Sequence, residues 1–211
     1  MKVSKLIDPA ARQRIEAAIA EQERRSGGEI VVAVVGACDE YGSAGWRLGA
    51  ALAALAFLGL GLFARPLPWT AYLAAQGVAL AVGHGLARAE GVRRWLLPHH
   101  LAERRVIERA RRCFAEQGLT RTRGRTGILI LAALLERRVV VLADEGIHRA
   151  LGPDESWQEV VELAVAGMRE RRPVPGLEAA VRRCGEILAA HLPAPAVNPD
   201  ELPNAVVVLE D

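Results

Sequence analysis

Three pairs of adjacent acidic residues offer the chain its best material for chemistry: Asp39-Glu40, Asp144-Glu145 and Asp154-Glu155. Carboxylates gathered at loop ends can hold calcium together with backbone carbonyls, because that ion takes six or more oxygen ligands. Asp144 and Glu145, which stand before Gly146 at the end of an apolar run, are the candidate metal ligands. Each pair has a plain alternative as a polar strand exit or a helix cap. Pro98-His99-His100 brings no third ligand at metal spacing and reads as the wet entrance to a helix. No nucleophile motif, phosphate-cradling loop or HExxH occurs, so no catalytic residue is assigned. Cys38, Cys113 and Cys184 are scattered and odd in number, which fits reduced thiols rather than a disulfide framework or a zinc site.

The elements that must position these residues are unusual in their apolar content. Hydrophobic residues make up 51% of the 211, yet aromatics only 4%, so the apolar mass is Ala, Leu and Val. Much of it lies in two runs, WRLGAALAALAFLGLGLFA (46–64) and LPWTAYLAAQGVALAVGHGLA (67–87), separated by Arg65 and Pro66. As helices, residues 48–64 span roughly 26 Å and residues 67–87 roughly 31 Å, against about 30 Å of hydrocarbon in a bilayer. Neither run carries the polar stripe that a water-facing helix shows. Small residues recur at every fourth position, as Gly45, Gly49 and Ala53 in the first and Ala71, Ala75, Ala79, Gly83 and Ala87 in the second. That spacing lets two backbones approach closely in lipid. The expectation is a transmembrane hairpin over 46–88, with Gln76 making an interhelical hydrogen bond and His84 at the interface.

The charges set its orientation. The turn holds one basic residue, Arg65, whereas Arg88, Arg93, Arg94, Arg104, Arg105, Arg109, Arg111 and Arg112 follow the second run and Arg47 begins the first. Basic residues stay in the cytoplasm, so both termini are expected there, on the inner membrane. The N-terminal stretch MKVSKLIDPAARQRIEAA has no apolar region of the kind a secretory leader needs. The arginine cluster and RTRGR (121–125) lack aromatic interleaving and are diluted by glutamates, which disfavours nucleic acid. Anionic lipid headgroups suit them better.

Around the hairpin the pattern is that of an α/β domain. Asp8-Pro9 starts a helix with Ile15, Ala18 and Ile19 on its apolar face, and EIVVAVVG (29–36) reads as a strand covered on both faces. A helix over 99–118 directs Leu101, Val106, Ile107, Ala110, Cys113 and Phe114 to a core. Residues 126–146 give two strands about a Glu136-Arg137 turn, and two helices follow at 154–171 and 176–191. AVVVL in the tail offers an edge strand. A right-handed crossover would make the first two strands parallel and the third opposite, placing Asp144 at the end of the sheet away from Asp39. The fold expected is a small α/β/α sandwich of three to four strands interrupted by the transmembrane hairpin: 1–42 and 96–193 form one domain, 46–88 the hairpin and 194–211 an extended tail.

The residues GGEIVVAVV (27–35), FAEQGLTRTRGRTGILILAALLERRVVVLADEGI (114–147), Trp157 and GLEAAVRRCGEILAAHLP (176–193) resemble the TPM domain, in a bacterial branch that carries a two-helix membrane insertion. The resemblance implies an α/β/α sandwich and a role in maintaining or assembling membrane proteins. Calcium binding and a phosphatase activity have been proposed for some members. It therefore implies a membrane-anchored cytoplasmic module that binds an unidentified membrane or cytoplasmic protein, with calcium near Asp144. The alternative is a metal-dependent phosphatase acting on phosphate esters, with Asp144 and Glu145 as ligands.

Overall fold

The computed structural model describes residues 3, 6–63, 67–152, 156–196 and 201–209. They divide into two compact units, residues 1–38 with 103–211 and residues 39–102.

The first unit is built on a four-stranded sheet of order β3-β2-β1-β4. Its strands are β1 (Glu29–Val35), β2 (Gly127–Ala133), β3 (Arg138–Ala143) and β4 (Val207–Leu209). β1 and β2 are parallel from Glu29 opposite Gly127 to Val35 opposite Ala133, and β3 is antiparallel to β2. β4, from the AVVVL segment, adds in parallel to β1 and is an edge strand. Every residue of β1 and of β2 is buried. A strand that alternates its side chains between faces can be apolar throughout only if both faces are covered.

Both are covered here. On one face Ile30, Val32, Val34, Ile128 and Ile130 join Ile15 and Ile19 of α1 (Pro9–Glu23) and Leu177, Val181 and Leu188 of the C-terminal helix Pro173–His191. On the other, Val31, Ala33, Leu129 and Leu131 meet Val106, Ala110 and Cys113 of the helix His99–Glu116. The unit is thus a three-layer α/β/α sandwich. Burying each large aliphatic side chain contributes about 1.5–3 kcal/mol, so the two faces of β1 and β2 carry much of its stability.

Local sequence explains where α1 begins. The Asp8 carboxylate accepts a hydrogen bond from the Ala11 N–H at 2.7 Å, and Pro9 fills the first helical position, where no N–H is needed. Three details depart from the expected pattern. The β2–β3 connection uses four residues, Leu134 to Arg137, rather than Glu136 and Arg137 alone. Leu134 and Leu135 are buried, and their N–H groups bond the carbonyls of Val35 and Gly36, so both stay against the end of β1 before Arg137, at φ 52°, reverses the chain. The helix after residue 98 is turned slightly about its axis, with Ala102 buried and Leu101 and Ile107 only half-buried. A helix over Glu145–Leu151 follows β3 directly where only a strand exit was expected. The helix expected from residue 154 is described from Gln158 to Arg169; Asp154 and Glu155 lie outside the described residues.

The second unit contains α2 (Gly42–Phe63), α3 (Trp69–Leu86) and the short α4 (Glu90–Leu96). The remaining helices are α5 (His99–Glu116), which begins in this unit and continues into the first, α6 (Glu145–Leu151), α7 (Gln158–Arg169) and α8 (Pro173–His191).

None of the three cysteines is joined in a disulfide; Cys113 and Cys184 are buried and Cys38 is half-buried. Burial pushes both buried thiols above the ordinary thiol value. A thiol that stays neutral in the fold after its unfolded counterpart ionises costs nothing below about pH 8, and lowers stability as pH rises past the unfolded value of about 8.5. Urea midpoints should therefore fall between about pH 7 and pH 10, and Cys184→Ala should reduce that fall. In the native protein a maleimide should label Cys38 first and reach the other two only after unfolding.

Candidate functional site

Asp144 directly follows β3 and its N–H bonds the Gly127 carbonyl at 2.9 Å, which fixes it beside the start of β2. Because β1 and β2 are parallel, this is the end of the sheet where β1 begins, and the chain reaches Asp39 and Glu40 from the opposite end. The expected strand directions, the first two parallel and the third opposite, are therefore found.

The surroundings of Asp144 are closed. Its Oδ1 accepts from the Glu145 N–H at 2.8 Å and from Arg125 Nη2 at 3.0 Å, while Arg125 Nε lies 2.8 Å from Oδ2. Asp144 is only 7% exposed, and it caps α6. The Gly146 N–H bonds the Arg125 carbonyl at 2.9 Å, so the 122–126 loop and the ADEGI segment are tied together by backbone as well as by charge. Glu145 is exposed. Among the described residues no group of three or more His, Cys, Asp or Glu side chains is placed to hold a metal ion. A cation at Asp144 would have to take the place of Arg125. His99 and His100 are exposed at the start of α5. Asp144→Ala is expected to lower the unfolding free energy by about 2 kcal/mol, from a lost cap and a lost charge-assisted bond, discounted because Arg125 is half in water. Asp144→Asn should lose about half as much in a urea titration.

Pattern reading missed three buried acids. Glu23 accepts from the Ile30 N–H at 2.7 Å, Glu29 from the Leu202 N–H at 3.2 Å, and Glu178 holds Arg14 Nε at 2.8 Å. They pin α1 to β1, the tail to β1, and α1 to α8. No local motif marks them, since each partner is supplied by the fold.

The arginines separate into two groups. Arg125 is committed to Asp144, Arg105 to Glu108, Arg109 to Glu116 and Arg138 to Glu103. Arg104, Arg111 and Arg112 lie exposed on α5, and among the described residues they make no ion pair.

In the second unit α2 and α3 run antiparallel, with Trp46 against His84 at 5.6 Å between ring centroids and Phe57 against Tyr72 at 6.1 Å. A Cβ on Gly83 would come within 2.4 Å of Gly49 Cα, so the two backbones touch. Ala53 and Ala87 are buried in the same seam. The small-residue spacing thus does bring the helices together. The Gln76 amide nitrogen is buried and, among the described residues, has no hydrogen-bond partner, in contrast to expectation. Residues 48–63 of α2 are apolar throughout and hold no side-chain acceptor for it.

Away from the seam, Leu55, Phe57, Leu58, Leu62, Leu73 and Val78 are each more than half exposed. Residues 42–62 are long and apolar enough to cross a membrane, and only 11% of that window is buried, unlike the core helix of a soluble fold. Among the described residues no second helix meets the same measure. Gln76 and His84 dilute α3, so length and composition establish one candidate span and not the expected pair. Arg65 lies outside the described residues.

No family model matches the chain, and no curated protein does. Among solved structures it is similar to the NMR structure of the BA42 protein from the psychrophilic bacterium Bizionia argentinensis. The TM-score is 0.58 at 17% identity, over 95% of this chain and 93% of that one. At that identity the likeness concerns fold.

Proposed function

We propose that the chain is a membrane-anchored cytoplasmic module of the TPM type, which docks a membrane or cytoplasmic protein partner through its α/β/α unit. The observation that carries the anchor is the apolar surface of α2 and α3, whose large side chains face outward rather than into a core. In water so many large exposed apolar side chains on two adjacent helices would form the kind of contiguous patch that monomeric soluble proteins rarely show. In lipid it needs no partner. α3 enters with α2 as one hairpin, its seam closed at Gly49 and Gly83.

The sheet constrains the topology. β1 precedes the hairpin in sequence and β2 follows it, yet the two pair along seven residues each, which supports a hairpin whose two ends open on one side of the membrane. Arg47, Arg88, Arg93 and Arg94 flank those ends and favour the cytoplasmic side. Trp46 and Trp69, 63% and 71% exposed, begin the two helices and therefore stand toward opposite ends of the antiparallel pair, as interfacial aromatics do.

Membrane fractions of cells expressing the protein test this reading. The full chain is expected to resist carbonate extraction and to float with lipid. Tags at both termini should be shielded in sealed spheroplasts. Recovery in a detergent-free high-speed supernatant, or termini on opposite faces, would refute it. Crosslinking in membranes would then identify the docked protein. The calcium expectation is tested by melting with calcium against chelator, where a rise abolished by Asp144→Ala would support an ion beside α6.

A further inference from the structure

α4 is a helix of only seven residues, with Trp95 83% exposed, the highest among the exposed large apolar side chains described. It follows α3 just beyond His84, at the Trp46 end of the hairpin, and packs against α2. Arg88 is exposed, and Arg93 and Arg94 are half-buried. Glu90 is the sole acid between residues 85 and 98, and it pairs with Arg94 at 3.3 Å. Among the described residues neither Arg88 nor Arg93 forms an ion pair. The Nε of Arg93 is moreover shielded from water and has no acceptor among those residues. A shielded guanidinium N–H without an acceptor is costly, and an incoming oxyanion removes that cost.

We infer that α4, with Arg88, Arg93 and Trp95, is a headgroup site for anionic lipid. This rests on the hairpin reading above. The planar guanidinium of Arg93 suits a phosphate oxygen pair, Arg88 adds charge, and Trp95 inserts at the level where indole rings prefer the boundary between headgroup and chain. The surplus of arginine over glutamate favours a headgroup with net negative charge over a zwitterionic one. Trp95 is an exposed apolar side chain on a helix that packs against α2, so the same bilayer that would hold α2 and α3 supplies the ligand.

The test uses the full chain reconstituted in phosphatidylcholine vesicles doped with spin-labelled phosphatidylglycerol or spin-labelled phosphatidylcholine. The ratio of immobilised label between the two is the readout. The wild type should prefer phosphatidylglycerol, and Arg93→Gln should reduce that preference by about fivefold, the factor corresponding to about 1 kcal/mol per basic residue near an anionic surface. Arg88→Gln with Arg93→Gln should bring the ratio close to one. Inorganic phosphate should leave it unchanged relative to an ionic-strength control, and displacement by phosphate would overturn lipid as the occupant. A wild-type ratio of one, or an unchanged ratio in the double variant, would overturn the site while flotation of the protein keeps the hairpin reading intact. Failure to float would remove both.

Discussion

A chain carrying Leu55→Arg together with Val78→Arg is expected to leave the membrane fraction. Both side chains lie near the middle of their helices and point outward, 64% and 63% exposed. An arginine at the centre of a spanning helix costs about 2.5–3.5 kcal/mol on insertion scales, so the pair costs roughly 6 kcal/mol, which the Ala-rich α2 and α3 cannot offset. Flotation after carbonate treatment measures the outcome, together with the steady-state level of the protein. Leu55→Ala with Val78→Ala should remain membrane-bound. If the arginine variant stayed in the membrane at the wild-type level, those faces would not be in contact with lipid.

The second large effect concerns Gly146, where the ADEGI segment crosses the 122–126 loop. A Cβ there would lie 2.1 Å from the Gly124 carbonyl oxygen and 2.6 Å from that of Arg125. Neither atom is the end of a flexible side chain, so the loop itself must move, and moving it loosens Arg125 from Asp144. Overpacking of this kind costs about 3 kcal/mol. Gly27→Ala serves as the contrast, because its nearest neighbour would be at an ordinary 3.6 Å. Urea unfolding of the detergent-solubilised protein should separate the two. Equal midpoints would mean that the loop yields freely.

Much of this architecture is legible in the residues. Unbroken apolar runs at 30–35 and 127–133 disclose strands buried on both faces, and Asp8-Pro9 discloses the start of α1. Gly45, Gly49 and Gly83 disclose the seam of the hairpin because a missing side chain at helical spacing has few other uses. What stays hidden depends on partners distant in sequence. Asp144 looks alike as a metal ligand and as a cap; the difference is made by Arg125, 19 residues earlier, whose direction no local pattern specifies. Glu178 is similar, since its partner Arg14 is 164 residues away. α6 stays hidden because Asp144, one residue past β3, looks like a polar strand exit and not like the cap of a helix.

The pairing of β1 with β2 also bears on biosynthesis. β1 ends at Val35 and its central neighbour starts at Gly127, so a ribosome adding about 5–20 residues per second needs roughly 5–20 s to deliver the second after the first. During that interval a strand apolar on both faces has no sheet to join, while the intervening helices are still being made. The nascent N-terminal segment must therefore be sheltered until β2 is delivered, and on the reading proposed above that interval is also the one in which the hairpin would insert.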